Sequence, residues 1–229
     1  MRNGLLKHCK MNQLIFKFPF SKKYYEQDFF VSSNNFSAYK LIESWPNWPG
    51  KWLNIFGTSG SGKTHLAKIL EKKINKTKIL DAKIIDNKVI DKLDLYDCLI
   101  IDNFDNNIDE KLFYTILNQC HQSNNYVIVN SIKPIKKIPT KLNDLKSRLD
   151  SFTYIGIDLP TDDLIRVILT KGFSDKQVET DVKLLEYILK NINRSYEEIF
   201  NFIEKVDTLS LSTGKPININ LIKKVLKNE

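Results

Sequence analysis

Eight consecutive residues, Gly57-Thr-Ser-Gly-Ser-Gly-Lys-Thr64, carry the clearest chemistry in this sequence of 229 residues. They fit GxxxxGK[ST], the pattern of a phosphate-binding P-loop. In such a loop Gly57, Thr58, Ser59, Gly60, Ser61 and Gly62 turn backbone N–H groups toward the phosphates of a nucleotide, ADP or ATP. Lys63 reaches the β- and γ-phosphates, and the Thr64 hydroxyl takes Mg²⁺. A helix starting there adds its positive dipole end to the same anion. The chain has only eight glycines, and three of them fall within positions 57–62, so the pattern is not drawn from a glycine-rich background.

A metal held by Thr64 needs a carboxylate opposite. Leu99-Ile-Ile-Asp102 supplies one, an apolar strand delivering Asp102 at its C-terminal end as a second Mg²⁺ ligand in the manner of a Walker B element. The next residue is Asn103, where ATPases of this architecture usually place an acid to orient the attacking water. An amide can hydrogen-bond water but cannot take its proton, so brisk intrinsic turnover is not expected. Asn130 and Ser131 end another apolar run, either as sensors of the γ-phosphate or as a plain strand-to-loop cap.

These residues need strands and helices to position them. Lys51–Phe56 reads as the strand feeding the loop, and Leu66, Ile69 and Leu70 share one face of the helix after it. Thr77–Ile85, Cys98–Asp102, Tyr126–Val129 and Tyr154–Ile157 are further strand patterns. Helical spacing separates them at Asp109–His121 and Leu142–Leu149, and precedes them at Ser37–Trp45. Alternating elements with unbroken apolar strands predict an α/β core, a parallel sheet covered by helices on both faces. After Leu159-Pro160 only helical spacing remains, with Thr161 or Asp162 as an N-cap. The expected organisation is a tail over 1–22, a nucleotide-binding core over 23–159 and a small all-helical lid over 160–229.

Composition narrows the function. The chain is 42% hydrophobic and 27% charged, enough for a core and ordinary for a water-soluble protein. No apolar run is long enough to span a bilayer, and the N-terminus lacks a secretory apolar stretch. Cys9, Cys98 and Cys120 are odd in number and widely spaced, which suggests neither a disulfide framework nor a zinc site. A cytoplasmic protein is expected, with no membrane partner. The formal charge of +8 tempts a nucleic-acid reading, but the lysines are scattered, the densest run being Ile132–Lys137.

A P-loop, an acid-ending strand, a polar strand end and a helical lid together resemble the AAA+ ATPases, and within them the DnaA clade. Asn34-Asn-Phe-Ser-Ala38, Gly62-Lys-Thr-His-Leu66 and Leu142-Asn-Asp-Leu-Lys-Ser-Arg-Leu149 are similar to segments of that clade. The resemblance covers roughly residues 13–228. It implies that Arg148 reaches the nucleotide of a neighbouring subunit, as an arginine finger. The chain is most similar to the DnaA regulatory inactivators (Hda, HdaA): it ends after the lid, it pairs Asp102 with Asn103, and Gln13-Leu-Ile-Phe-Lys-Phe18 is similar to their sliding-clamp peptide. That similarity implies that Gln13, Leu14, Phe16 and Phe18 dock on the DNA polymerase III sliding clamp (the β subunit). DNA would be met through the clamp, and DnaA would be the partner whose bound ATP is hydrolysed. Two departures stand out. Glu197 falls where DnaA has its sensor-2 arginine, with Arg194 nearby, so ADP should be tolerated at least as well as ATP. The connection from Ile85 to Cys98 is short, where DnaA carries a helical insertion. Two other classes remain: an autonomous ATPase, DnaA-like or of the helicase-loader type, and a DNA-binding paralogue of DnaA.

Overall fold

The computed structural model describes residues 29–105, 108–178 and 180–227. The clamp-like peptide at Gln13 to Phe18 lies outside them. Backbone contacts divide these residues into two compact units, one made of residues up to 165 together with 194–197, the other of 166–193 and 198–227. The division cuts two helices, between residues 165 and 166 and between residues 197 and 198.

The first unit is built on five parallel strands: β1 (Trp52–Gly57), β2 (Thr77–Asp81), β3 (Cys98–Phe104), β4 (Tyr126–Ser131) and β5 (Thr153–Ile157), in the order β2-β3-β4-β1-β5. Alternation along β3 explains why its run is apolar throughout. Leu99 and Ile101 face one layer, while Cys98 and Ile100 face the other. The first layer is α3 (Glu110–Gln122) and α4 (Asn143–Asp150), through Phe113, Ile116, Leu117, Leu145 and Leu149. The second is α1 (Phe36–Glu43) and α2 (Lys63–Lys73), through Ala38, Ile42, Leu66 and Leu70. Burial pushes the Cys98 and Cys120 thiols up to about 12, so both are core residues rather than nucleophiles.

β2 is shorter than its sequence pattern. The Asp81 carboxylate accepts from Lys83 N–H at 2.9 Å and turns the chain into 3-10 turns at Ala82–Ile84 and then Asn87–Leu95. The link to β3 is therefore a 3-10 segment with no α-helix in it. α3 starts where expected, with the Asp109 carboxylate accepting from Leu112 N–H at 2.8 Å.

The helices after β5 are α5 (Asp162–Ser174), α6 (Val182–Asn191), α7 (Tyr196–Thr213) and α8 (Ile219–Lys227). Within the second unit Phe173, Ile188, Phe202, Val206 and Ile222 are buried. Lys176–Asp207 (2.6 Å) and Arg166–Glu186 (2.9 Å) are ion pairs at its surface.

Candidate nucleotide site

The strand order brings the predicted residues together. β4 lies between β1 and β3, so Asn130 stands between the P-loop that leaves β1 and Asp102 on β3. This is the carboxyl edge of a parallel sheet, where α/β folds place their ligands.

Three glycine positions shape the loop. Gly60 and Gly62 have φ of 78° and 94°, the left-handed region that a side chain strains to adopt. A Cβ on Gly57 would lie 2.8 Å from the Ile157 carbonyl oxygen, so β1 and β5 could not approach as they do. α2 begins directly after Gly62. Its first turn is closed by Leu66 N–H to the Gly62 carbonyl, at 3.0 Å, and the backbone N–H groups of a helix's first turn, here those of Lys63 and Thr64, precede the regular i to i−4 ladder. A phosphate is a natural acceptor for such groups. The Phe29 ring covers Gly62, stacks on Tyr39 at 5.7 Å and meets His65 edge-on at 5.3 Å.

The polar side chains interlock. Thr64 Oγ1 donates to Asp102 Oδ2 at 2.7 Å, and Asn130 Nδ2 donates to Asp102 Oδ1 at 3.0 Å. Asn103 N–H adds a third bond to Asp102 Oδ1 at 3.1 Å. Because a carboxylate only accepts, the Asn130 amide must present its nitrogen to Asp102 and its oxygen elsewhere. That oxygen is buried and has no partner among the described residues. A buried, unpartnered acceptor is rare enough to demand a reason, and a water or metal-bound water at the phosphates supplies one. Lys63 Nζ donates to the carbonyls of Gly57 (2.7 Å) and Thr58 (2.9 Å) and to Ser61 Oγ (3.3 Å). Burial lowers its pKa, while the Asp102 charge raises it. The set fits a Mg²⁺ nucleotide. Lys63 and the helix start would hold the phosphates; Thr64 and Asp102 would hold the metal, which neutralises charge on the transferred phosphoryl group.

Asn103 is placed differently. It sits at a bulge in β3 with φ of 55°, and its Nδ2 donates to Asp81 Oδ2 at 2.7 Å. Asp81 pairs in register with Asp102 on the neighbouring strand. The Lys83 N–H and the Asn103 amide hold the Asp81 carboxyl below its usual range. Sequence reading passed over Asp81, although Ile79-Leu-Asp81 parallels Ile100-Ile-Asp102. It also passed over Asn54, a fully buried amide in β1. Asn54 donates to Val129 O at 2.7 Å and to Ser131 Oγ at 2.9 Å, and accepts from Ile135 N–H at 3.1 Å, which fixes the end of β4. Its signal was a lone polar residue in an apolar run.

Arg148 lies on α4, outside this cluster. Its Nε donates to Asn118 Oδ1 on α3 at 2.9 Å. Arg194 is ion-paired with Asp162 at 3.0 Å, and Glu197 is exposed at the start of α7.

In architecture, the five-stranded parallel sheet flanked by helices matches the core of AAA+ ATPases. A model of the RNA helicase family matches residues 53–140, the stretch from β1 to the loop after β4. The chain is similar to domain III of the replication initiation protein DnaA from Thermotoga maritima, at 19% identity and a TM-score of 0.75, over 92% of this chain and 98% of that one. It is similar to AMPPCP-bound DnaA from Aquifex aeolicus, at 19% identity and a TM-score of 0.69, over 91% of this chain and 71% of that one. It also resembles the Thermotoga maritima RuvB Holliday junction branch migration motor, at 17% identity and a TM-score of 0.60, over 78% of this chain and 61% of that one. At these identities the likeness establishes the fold. Among the described residues no helix is long and apolar enough to cross a membrane.

Proposed function

We propose that this chain is a nucleotide-binding regulator of replication initiation that supplies Arg148 in trans to ATP held by DnaA. The observation that carries its nucleotide half is the Thr64–Asp102–Asn130 cluster with its orphaned amide oxygen beside the P-loop. The bound nucleotide is ADP or ATP with Mg²⁺, in keeping with the likeness to a DnaA that carries AMPPCP. Its role is to fix the domain's shape rather than to turn over. Asn103 is no base, and its amide is bonded to Asp81.

The regulatory half rests on Arg148 and on the family resemblance. Arg148 is only partly buried and has no carboxylate within ion-pair distance among the described residues. An always-charged fork held clear of its own carboxylates suits a neighbour's phosphates. Gln13, Leu14, Phe16 and Phe18 would seat the chain on the sliding clamp by docking in an apolar groove, and DNA would be reached through the clamp. Both partners lie in the replication machinery, so the chain would work on the nucleoid.

The test is hydrolysis of DnaA-bound ATP in the presence of clamp-loaded DNA, with and without this protein. Stimulation that needs Gln13, Leu14 and Phe16 as well as Arg148 supports the reading. Hydrolysis unchanged by the protein overturns it. A second reading, an autonomous DnaA-like ATPase, is favoured by the complete Thr64–Asp102 pair; it requires many turnovers per second from the protein alone.

A further inference from the structure

Arg148 is the reacting end of the proposed trans mechanism, and a long side chain at a surface needs something to aim it. An arginine side chain gives up substantial rotamer entropy when it is immobilised. The structure shows what does the immobilising. The Nε–H of Arg148 donates to Asn118 Oδ1 at 2.9 Å. That N–H lies on the side edge of the planar guanidinium. The two terminal Nη groups, which form the fork, are left for another acceptor.

The acceptor itself is fixed. Asn118 stands on α3, whose neighbouring residues Ile116, Leu117 and Cys120 are fully buried in the core. α4 is fastened to the same helix at its other end. The Glu110 carboxylate accepts the N–H of Lys141 at 3.0 Å and that of Leu142 at 3.0 Å, immediately before α4 begins. Leu145 and Leu149 on α4 are buried in the same layer as Phe113 and Leu117. α4 is therefore held at its start by Glu110, along its length by two leucines, and at Arg148 by Asn118.

We propose that Asn118 is the positioning residue of the trans-acting arginine. It holds the guanidinium in one orientation through Nε, leaving the two Nη groups to an incoming acceptor, and it does so without charge. A neutral acceptor at Nε fixes direction and leaves the full positive charge for the incoming phosphates; a carboxylate there would spend that charge on an internal ion pair. This inference rests on the trans-arginine reading of Arg148.

The experiment uses the full chain, DnaA·ATP and clamp-loaded DNA, and compares Asn118→Leu, Asn118→Asp and Arg148→Ala. Each variant is first shown to bind ADP and the clamp as the parent does. Asn118→Leu keeps the size and removes the acceptor. The maximal rate of DnaA-bound ATP hydrolysis should fall ~10-fold or more, the scale on which small misplacements of a reacting group act. The protein concentration giving half-maximal stimulation should not move, because docking is untouched. Asn118→Asp keeps an acceptor oxygen at Nε and should restore part of the loss. If Arg148→Ala abolishes stimulation while Asn118→Leu matches the parent, Asn118 does not position the arginine. If Asn118→Leu instead raises the half-maximal concentration at an unchanged maximal rate, Asn118 serves docking and the proposal fails. If Arg148→Ala itself matches the parent, it is the trans-arginine reading that falls.

Discussion

The P-loop cluster and the Arg148 helix sit on the same core and are built on different plans. At the P-loop, Thr64, Asp102 and Asn130 bond to one another, Lys63 bonds to its own loop, and Asp102 is buried. Among the described residues the Arg148 side chain makes one hydrogen bond, an uncharged one to Asn118. A site that holds its ligand within one chain needs convergent groups that fix one another in place, with the capacity left over, such as the Asn130 amide oxygen, aimed at the ligand. A group meant for another chain needs a fixed direction and an unspent charge. The largest effects should therefore come from Arg148, but only in the presence of a partner, and those of the P-loop should appear in the protein alone.

Arg148→Ala should leave ADP binding intact and lower the stimulated hydrolysis of DnaA-bound ATP by roughly 10³-fold, the lower end of what a trans arginine contributes in other NTPases. Arg148→Lys should fail nearly as badly, since a point charge does not reproduce the planar fork. Single-turnover hydrolysis of labelled ATP preloaded on DnaA measures both. A rate close to the parent's in either variant would erase the distinction between the two regions.

Lys63→Ala should act without any partner. It removes a charged donor from the phosphate cradle, and hydrogen bonds to charged groups contribute about 1.5–3 kcal/mol. ADP affinity should fall ~10–100-fold by fluorescence titration. A folded Lys63→Ala protein with the parent's ADP affinity would remove the nucleotide site. Asn130→Ala comes next. It strips one donor from the buried Asp102 carboxylate, at a cost of about 1–3 kcal/mol. In a chain of this size that lowers the melting temperature by roughly 2–12 °C. ADP with Mg²⁺ should recover less of that loss than it adds to the parent, because the orphaned oxygen goes too.

The contrast between the regions also marks what a sequence can carry. The P-loop was legible because backbone geometry dictates glycine at fixed spacing, and Gly60 and Gly62 do have positive φ. β3 and α3 were legible because an apolar run and helical apolar spacing are local signals. Asn54 and Asn118 were not. Each is a single polar residue whose partner is distant in sequence, at Ser131 and Arg148 respectively, so no spacing rule finds it. The end of β2 was misplaced by four residues for a related reason. Ile84 and Ile85 extend the apolar pattern, but the Asp81 side chain captures Lys83 N–H and ends the strand first.

The smallest effect should come from Asn103, and it can be sharpened by exchanging two residues. Asn103 Nδ2 donates to Asp81 Oδ2 at 2.7 Å, so the amide is engaged by a carboxylate of its own domain. In Asn103→Asp that bond is replaced by two carboxylates in contact, which repel. The new side chain leaves Asp81 and is free to turn toward the attacking water, with the basicity an amide lacks. Intrinsic turnover should rise a few-fold, on the order of 3–10, well short of a full general-base contribution because the backbone at 103 stays in its bulge. The double variant Asp81→Asn with Asn103→Asp restores a hydrogen bond with donor and acceptor exchanged. It should return turnover toward the parent rate while ADP affinity stays constant across all three proteins. Steady-state ATPase with Mg·ATP decides it. If the double variant is as fast as Asn103→Asp, the Asp81 bond is not what restrains residue 103, and the low turnover has its origin elsewhere in the site.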